Sequence, residues 1–138
     1  MREILFRGHE LFTDNWVEGF LLYKETWKTC ILTIDEKCAV KYREVYTDSV
    51  GQYTGLTDKN GEKIFEGDIC KLIYHEPRYT ANQPDKTSEH IEKVVFKDGK
   101  FGIMTWSGVC YPLWEFDKDD REVIGNIHDN PELLEANP

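Results

Sequence analysis

The hydrophobic positions of this chain follow the patterns of β-strands rather than the spacing of helices. Residues 16–23 and 27–34 are rich in aromatic and β-branched side chains, which predicts two strands joined around residues 24–26. Apolar runs of similar composition predict further strands at 39–46, 68–74 and 122–128.

The stretch VGQYTGLTDKNGEKIFEGDI, residues 50–69, contains the clearest turn signal in the chain. Residues 52–56 and 63–65 flank Asn60-Gly61, the pair preferred in type I′ turns because both central residues take positive φ. This stretch therefore predicts a β-hairpin in which Asn60 and Gly61 are structural turn residues.

The second half of the chain contains another hairpin signal and a long polar segment. Asp98-Gly99 joins residues 91–96 to residues 101–106, which predicts a second hairpin with Asp98 and Gly99 in its turn. Residues 75–90 carry two prolines and few hydrophobic side chains. They are therefore expected to form a long, mobile loop.

A helix signal is found only near the end of the chain. A short helix is expected to begin at residues 131–135, with Asn130 as its N-cap and proline at its first position. Many short strands with hairpin turns favour a mainly β, antiparallel fold. Within a single domain over residues 1–138 we expect an N-terminal β lobe at 1–56 and a small SH3-like barrel at 57–138.

The composition is that of an ordinary globular protein, with 40% hydrophobic and 31% charged residues. No apolar run approaches the length of a membrane span and the first residues do not begin a signal peptide, so we expect a cytoplasmic protein without a membrane partner. The net charge of −9 disfavours nucleic acid as a partner, because that affinity comes largely from Lys and Arg. The acidic C-terminal part is expected to be a solvated surface, with a partner-binding face as the alternative.

Two carboxylates in residues 50–69 are candidates for catalytic or metal-binding chemistry. Glu66 and Asp68 flank Gly67, so in an extended segment they point to one face and could share a proton or bind a cation. A turn explains the same residues, since Gly67 supplies a bend and Asp68 hydrogen-bonds the backbone where a strand begins. We expect the turn, and we keep a metal-dependent hydrolase using Glu66, Asp68 and a loop histidine as an alternative.

No other residues form a recognisable cofactor site in the sequence. The four cysteines include no C-x-x-C pair, so the usual zinc and redox spacings are missing. The glycines of residues 50–69 are not followed by Gly-Lys-Ser/Thr, which excludes the common phosphate-binding loop. We therefore expect no cofactor, and a metal site formed by Cys30, Cys38 and a distant histidine is the weaker alternative.

Several motifs of the chain have counterparts in a known family. They are MREILFR at the start, WVEG at 16–19, GQYTGL, DKNG and EGDI within 50–69, and IGNI and NPELL within 122–134. Together they resemble the YopX-like family of phage and prophage proteins, from residue 1 to residue 134. The resemblance implies a mostly β structure, a bacteriophage or mobile-element origin and self-association. It implies no activity and supplies no catalytic or binding residues.

The aromatic residues suggest an interaction surface rather than a catalytic site. Tyr111, Trp114 and Phe116 lie in a segment without a strong strand pattern, and such residues are favoured at interfaces. We predict a non-enzymatic β module that forms a homo-oligomer and binds a host or phage protein. A nucleic-acid-associated small barrel is an alternative, although stacking platforms for single strands usually lie in a basic groove.

Overall fold

The fold is mainly β and antiparallel with a short α-helix near the C-terminus, as the sequence predicts. The computed structural model describes residues 1–24 and 28–135. The chain divides into two compact units, residues 1–55 and residues 56–138. Within the described residues, no helix is long and apolar enough to cross a membrane.

The first unit is an antiparallel sheet. Its strands are β1 (Phe6–His9), β2 (Trp16–Lys24), β3 (Lys28–Ile34), β4 (Val40–Glu44) and β5 (Gly51–Thr57), the last of which runs past the unit boundary. They follow the order β4-β3-β2-β1-β5. The strand predicted at 27–34 includes Trp27, and the turn predicted before it includes Glu25 and Thr26. These three residues lie outside the described residues.

One face of this sheet covers a small core that contains satisfied polar groups. Ile31 and Val45 are its fully or almost fully buried apolar residues. The hydroxyl of Thr29 lies 2.8 Å from the hydroxyl of Thr47, and the Ser49 hydroxyl oxygen accepts a hydrogen bond of 2.8 Å from a backbone N–H of β1. The buried hydroxyls therefore keep hydrogen-bond partners, which offsets the cost of removing them from water.

The second unit contains two three-stranded sheets and the hairpin strand that follows β5. Its elements are β6 (Lys63–Phe65), β7 (Asp68–His75), β8 (Thr87–Lys93), β9 (Val95–Lys97), β10 (Lys100–Met104), β11 (Cys110–Pro112), β12 (Arg121–Asn126) and α1 (Glu132–Glu135). One sheet has the order β12-β7-β8 and the other the order β11-β10-β9. Both are open in the part of the chain that the structure describes, so the SH3-like barrel is not confirmed and stays a prediction.

The core of the second unit lies between these sheets and the segment after β11. Its buried side chains are Ile64, Cys70, Leu72, Val94, Ile103, Leu113 and Phe116. Cys70 and Cys110 are buried and act as small hydrophobic residues.

The turn between β5 and β6 differs from the predicted type I′ turn. Only Gly61 is left-handed in this turn, with φ of 81°. The N–H of Gly61 donates to the carbonyl of Asp58 at 3.0 Å, and the N–H of Asp58 donates to the carbonyl of Glu62 at 2.8 Å. This is a three-residue connection with a left-handed glycine after a tight turn. The Asp58 carboxylate selects it, because it accepts the N–H groups of Asn60 and Glu62 at 2.9 Å each.

The strand predicted at 91–96 is in fact divided between the two sheets at Val94. Val94 is almost fully buried, and its N–H donates to the carbonyl of Asp68 at 2.8 Å beside β7. The next residues form β9, which pairs with β10. In the turn between them both Asp98 and Gly99 have positive φ, 55° and 77°, which is the geometry expected of a type I′ turn.

The predicted loop at 75–90 is too long at both ends. β7 continues to His75, β8 already begins at Thr87, and the two residues are paired across the strands. The connecting loop is therefore residues 76–86. No hydrophobic signal marks the start of β8 because this strand is mostly polar, and backbone pairing with β7 forms it instead.

The C-terminal helix begins one residue later than predicted, at Glu132. The side-chain oxygen of Asn130 accepts the N–H of Asn126 at 3.3 Å, on the side of β12, rather than an N–H of the helix. The backbone carbonyl of Asn130 accepts the N–H of Leu133 at 3.1 Å. Asn130 thus holds the end of β12 against the helix start and is not a side-chain N-cap.

Candidate functional site

Asp68 is engaged in the turn between β6 and β7. Its side chain is buried, and its carboxylate accepts the N–H of Phe65 at 2.8 Å. Gly67 has φ of 91°, and its carbonyl accepts the N–H of Ile127 at 2.9 Å. Glu66, which precedes Gly67, is half-buried. These contacts hold the chain where β7 begins.

The loop histidines of the alternative hydrolase site lie far from this turn. Seven residue steps along β7 separate Asp68 from His75, which is roughly 23 Å in a strand. His90 is paired with Leu72, so it is roughly 13 Å along the sheet from Asp68. In residues 1–24 and 28–135, no group of three or more His, Cys, Asp or Glu side chains is placed to hold a metal ion. The structure does not bring Glu66, Asp68 and a loop histidine together.

His75 is instead part of an exposed ion-pair cluster. Its Nε2 lies 3.0 Å from the carboxylate of Asp120, and its Nδ1 lies 3.4 Å from that of Asp85. The hydrogen bond with Asp120 is the main cause that raises the pKa of His75 above its ordinary value. The cluster ties the end of β7 to the loop and to the segment before β12.

The second unit contains an aromatic pocket with a volume of about 460 Å³. We use this name for the cavity whose walls include Tyr74, Glu92, Met104, Trp106, Tyr111 and Phe116. Pockets of this size with apolar walls and few polar groups are typical of sites that bind small molecules or single side chains.

Each wall of the aromatic pocket is fixed by a different element. Tyr74 lies near the end of β7, and Glu92 lies on β8 opposite Cys70. Tyr111 lies on β11 opposite Ile103 of β10. Trp106 occupies the turn between β10 and β11, in which the N–H groups of Thr105 and Gly108 close hydrogen bonds of 2.9 Å.

Glu92 is the acidic group of the aromatic pocket. Its side chain is half-buried, and burial raises the pKa of Glu92 although His90 nearby acts to lower it. The pKa of Tyr111 is also raised, first by burial and then by the negative charge of Glu115. Both groups lie in a partly buried wall of the pocket, in which negative charge is costly.

The three predicted interface residues have different surroundings. Phe116 is only 7% exposed and belongs to the core, where its ring meets that of Tyr111 at a centroid distance of 5.5 Å. Tyr111 is half-buried at the pocket wall, whereas Trp114 is 64% exposed. The sequence predicted Phe116 at a surface because its segment lacks strand alternation. Two short 3-10 helices on either side of it, Leu113–Glu115 and Lys118–Asp120, turn it inward.

The first unit exposes an apolar sheet face that was not predicted from the sequence. Backbone pairing aligns Phe20, Leu32 and Tyr42 across β2, β3 and β4, so their side chains lie on the same face. The opposite face carries the buried Ile31. We call the exposed set the apolar face; it consists of Phe20, Leu22, Leu32, Ile34, Val40 and Tyr42.

The side chains of the apolar face remain accessible to solvent. Phe20 is 55% exposed and Tyr42 is 65% exposed, and Ile34 and Val40 are about half exposed. A signal for this face exists in the sequence, because the run Phe-Leu-Leu-Tyr at 20–23 is apolar on both faces of a strand. A strand that is apolar on both sides is typical of a sheet covered on both sides.

Comparison with known proteins finds a matching family model and a similar solved structure. A family model described as YopX protein matches residues 5–135, nearly the whole chain. The crystal structure of protein EF1440 from Enterococcus faecalis has a similar fold, with a TM-score of 0.56 and 24% sequence identity over 97% of this chain and 99% of that chain. No curated protein matches the chain. Neither match carries a named activity.

Proposed function

The chain belongs to the YopX family, and we propose that it is a non-enzymatic β module that self-associates and binds a protein partner. The observation that supports self-association is the apolar face of β2, β3 and β4, whose six side chains are exposed or half-buried. Contiguous apolar patches of this kind on soluble proteins mark interaction surfaces. The family resemblance implies a phage or prophage protein, and we place its action in the bacterial cytoplasm.

The size of the apolar face fits the centre of a dimer interface. Its side chains expose roughly 400 Å² of apolar surface, on the scale of the largest patches of monomeric proteins. One partner contributes about 800 Å² to a standard interface, of which the centre is apolar and the rim polar. The occupant we propose is a second copy of the chain, packed sheet on sheet with the polar groups around the face as its rim.

Pairing of the sheet edges is the less favourable way for two copies to meet. β4 is an edge strand and carries charged residues between its apolar ones. In a two-fold antiparallel pairing centred on Tyr42, Lys41 would lie opposite Arg43 of the second copy. Like charges directly opposite each other destabilise a pair of strands. Face-to-face packing avoids this repulsion.

The structural contacts of the candidate catalytic groups support a non-enzymatic role. Asp68 is buried in a turn, and His75 is engaged with two carboxylates at the other end of β7. The loop histidines His75 and His90 thus do not lie beside Glu66 and Asp68. Acid–base or metal-assisted chemistry needs such groups within hydrogen-bond reach of one reacting atom.

Two tyrosines on opposite faces of the sheet provide the test. Tyr42 of the apolar face is 65% exposed, and Tyr23 on the other face of β2 is 67% exposed. We expect Tyr42→Glu to convert the dimer to a monomer in light scattering over a concentration series. Tyr23→Glu adds the same charge and is expected to leave the dimer intact.

Two results would contradict self-association through this face. A wild-type chain that stays monomeric at every concentration would remove self-association itself. Equal dissociation of the Tyr42→Glu and Tyr23→Glu variants would show that added charge, rather than the apolar face, controls assembly.

A further inference from the structure

We propose that the aromatic pocket is a binding site for the guanidinium group of an arginine side chain, presented by an exposed segment of a protein partner. The pocket combines a carboxylate with aromatic walls in a volume of about 460 Å³. This inference rests on the proposed function only for the class of partner, a protein, and does not require self-association.

The position of Glu92 points to a ligand of positive charge. Glu92 lies directly opposite Cys70 in the pairing of β7 and β8, and Cys70 belongs to the core. Directly opposite residues share a face, so Glu92 occupies the core side of the sheet, where an apolar residue would be expected. The residues that the structure describes form no hydrogen bond or salt bridge with the Glu92 carboxylate, although His90, which also lines the pocket, acts on it electrostatically.

A half-buried carboxylate without a partner is costly, and a cation relieves that cost. Burial disfavours the ionised form of Glu92, as its raised pKa reflects. An apolar ligand in the same pocket would remove more water from the carboxylate and increase the cost. A guanidinium group would supply both the charge and the N–H donors that the two carboxylate oxygens accept.

The aromatic side chains of the pocket favour arginine over a more strongly hydrated cation. Tyr74, Trp106 and Tyr111 line the same pocket as Glu92, and Trp106 is almost completely exposed. A planar guanidinium group stacks on such rings and is attracted by their electron-rich faces. Lysine presents a compact, strongly hydrated ammonium group that stacks less well.

A groove next to the aromatic pocket also favours a positively charged ligand. This groove, about 370 Å³ in volume, shares the walls Tyr74, Tyr111 and Phe116 with the aromatic pocket. Its other side chains include Glu115, Asp117 and Asp120, the last of which binds His75. A basic peptide that places one arginine in the pocket would therefore meet further negative charge beside it. The net charge of −9 also steers cationic partners toward the chain.

The direct test uses three capped peptides, Gly-Ser-Xaa-Ser-Gly, in which Xaa is Arg, Lys or Gln. Binding to the full chain is measured by nuclear magnetic resonance titration of backbone amides. We expect the arginine peptide to bind with saturation and to shift amides of 90–92 and 104–111. The lysine peptide is expected to bind more weakly, and the glutamine peptide not to bind.

Matched variants separate the pocket from general attraction to an acidic protein. Glu92→Gln is expected to weaken binding of the arginine peptide about tenfold. Glu89→Gln removes the same charge from the same strand, at a residue on the opposite face whose carboxylate lies 3.7 Å from Lys71, and is expected to have little effect. Trp106→Ala is expected to weaken binding, whereas Trp114→Ala, at an exposed tryptophan outside the pocket, is not.

Specific outcomes would overturn the assignment. Equal losses in the Glu92→Gln and Glu89→Gln variants would mean that net charge alone attracts the peptide. Equal binding of the arginine and glutamine peptides would exclude a guanidinium site. If free arginine bound more tightly than the arginine peptide, the ligand would be a small metabolite and not a segment of a protein.

The test distinguishes failure of this site from failure of the proposed self-association. The titrations are repeated on the Tyr42→Glu variant, whose altered residue lies in the first unit, away from the sequence that forms the pocket. If the Tyr42→Glu variant no longer forms dimers but still binds the arginine peptide, the proposed arginine site is supported independently of self-association. Retained dimers without peptide binding would overturn the arginine site alone.

Discussion

The carboxylate of Asp58 accepts the backbone N–H of Val123 at 3.0 Å, across 65 positions of the chain. The other carboxylate oxygen accepts the N–H groups of Asn60 and Glu62 within the turn after β5. Asp58 is completely buried, so one side chain joins the β5–β6 turn to β12. An aspartate that satisfies three backbone N–H groups from a buried position is a structural residue whose loss leaves all three without this acceptor.

Replacement of Asp58 is expected to destabilise the protein strongly. Asp58→Ala should lower the free energy of unfolding by about 3 kcal/mol, and Asp58→Asn, which keeps one acceptor oxygen, by about 2 kcal/mol. Urea unfolding monitored by circular dichroism measures both. The control is Asp35→Ala, because Asp35 also accepts two backbone N–H groups but is exposed to solvent. Its cost is expected to be below about 1 kcal/mol, and an equal cost at both sites would contradict the importance of burial.

The ionisation of Asp58 is expected to make the stability of the folded protein depend on pH in the acid range. Burial alone would raise the pKa of Asp58, but hydrogen bonds from the N–H groups of Val123, Glu62 and Asn60 outweigh burial and hold this pKa below its ordinary value. The stabilising contribution of ionised Asp58 is therefore fully present above about pH 4 and is lost as the pH falls through the folded-state pKa.

The urea midpoint of the wild-type chain should consequently fall more steeply than that of Asp58→Asn as the pH drops from about 5 to about 3. Parallel curves for the two proteins would show that other carboxylates control acid unfolding. Both proteins are measured at the same ionic strength, since salt screens exposed charges more than the buried Asp58.

The turn after β5 predicts unequal roles for Asn60 and Gly61. Only Gly61 has positive φ, so Gly61→Ala is expected to cost about 1 kcal/mol of unfolding free energy. Asn60→Ala should cost less than about 0.5 kcal/mol, because its backbone conformation suits any residue. Thermal unfolding of both variants measures the difference. Similar large losses at both positions would instead support a type I′ turn.

The ion-pair cluster around His75 predicts a raised and tunable pKa. The hydrogen bond with Asp120 contributes most, and that with Asp85 contributes less. A raised folded-state pKa means that protonated His75 adds stability below about pH 6.5, and that this contribution is lost as the pH rises through the folded-state pKa. Nuclear magnetic resonance titration of the His75 ring should show a larger fall of its pKa in Asp120→Asn than in Asp85→Asn. The reverse order would contradict the observed geometry.

Local turn residues made much of the β structure predictable from the sequence. Asp98-Gly99 predicted its hairpin because both residues adopt positive φ at low cost. The turn at Asn60-Gly61 was located but its type was wrong, because the carboxylate of Asp58 selects the backbone conformation. That choice depends partly on β12, which is remote in sequence.

The features that the sequence did not predict depend on which strands become neighbours in the fold. Val94 lies inside one apolar run, yet it marks the point at which the chain passes from one sheet to the other. Phe116 looks like a surface residue until two 3-10 helices turn it into the core. The aromatic pocket is likewise invisible in the sequence, since Tyr74, Glu92 and Trp106 meet only through strand pairing.

The sheet order β12-β7-β8 also has a consequence for the newly synthesised protein. β7 is the central strand and carries the buried residues Ile69, Cys70 and Leu72, but one of its two neighbours, β12, follows in the chain only after β8, β9, β10 and β11. During translation this apolar edge therefore leaves the ribosome long before the strand that covers it. A nascent chain stalled before Arg121 would present an unpaired edge that recruits other chains, so chaperone binding is expected to matter most between the synthesis of β7 and that of β12.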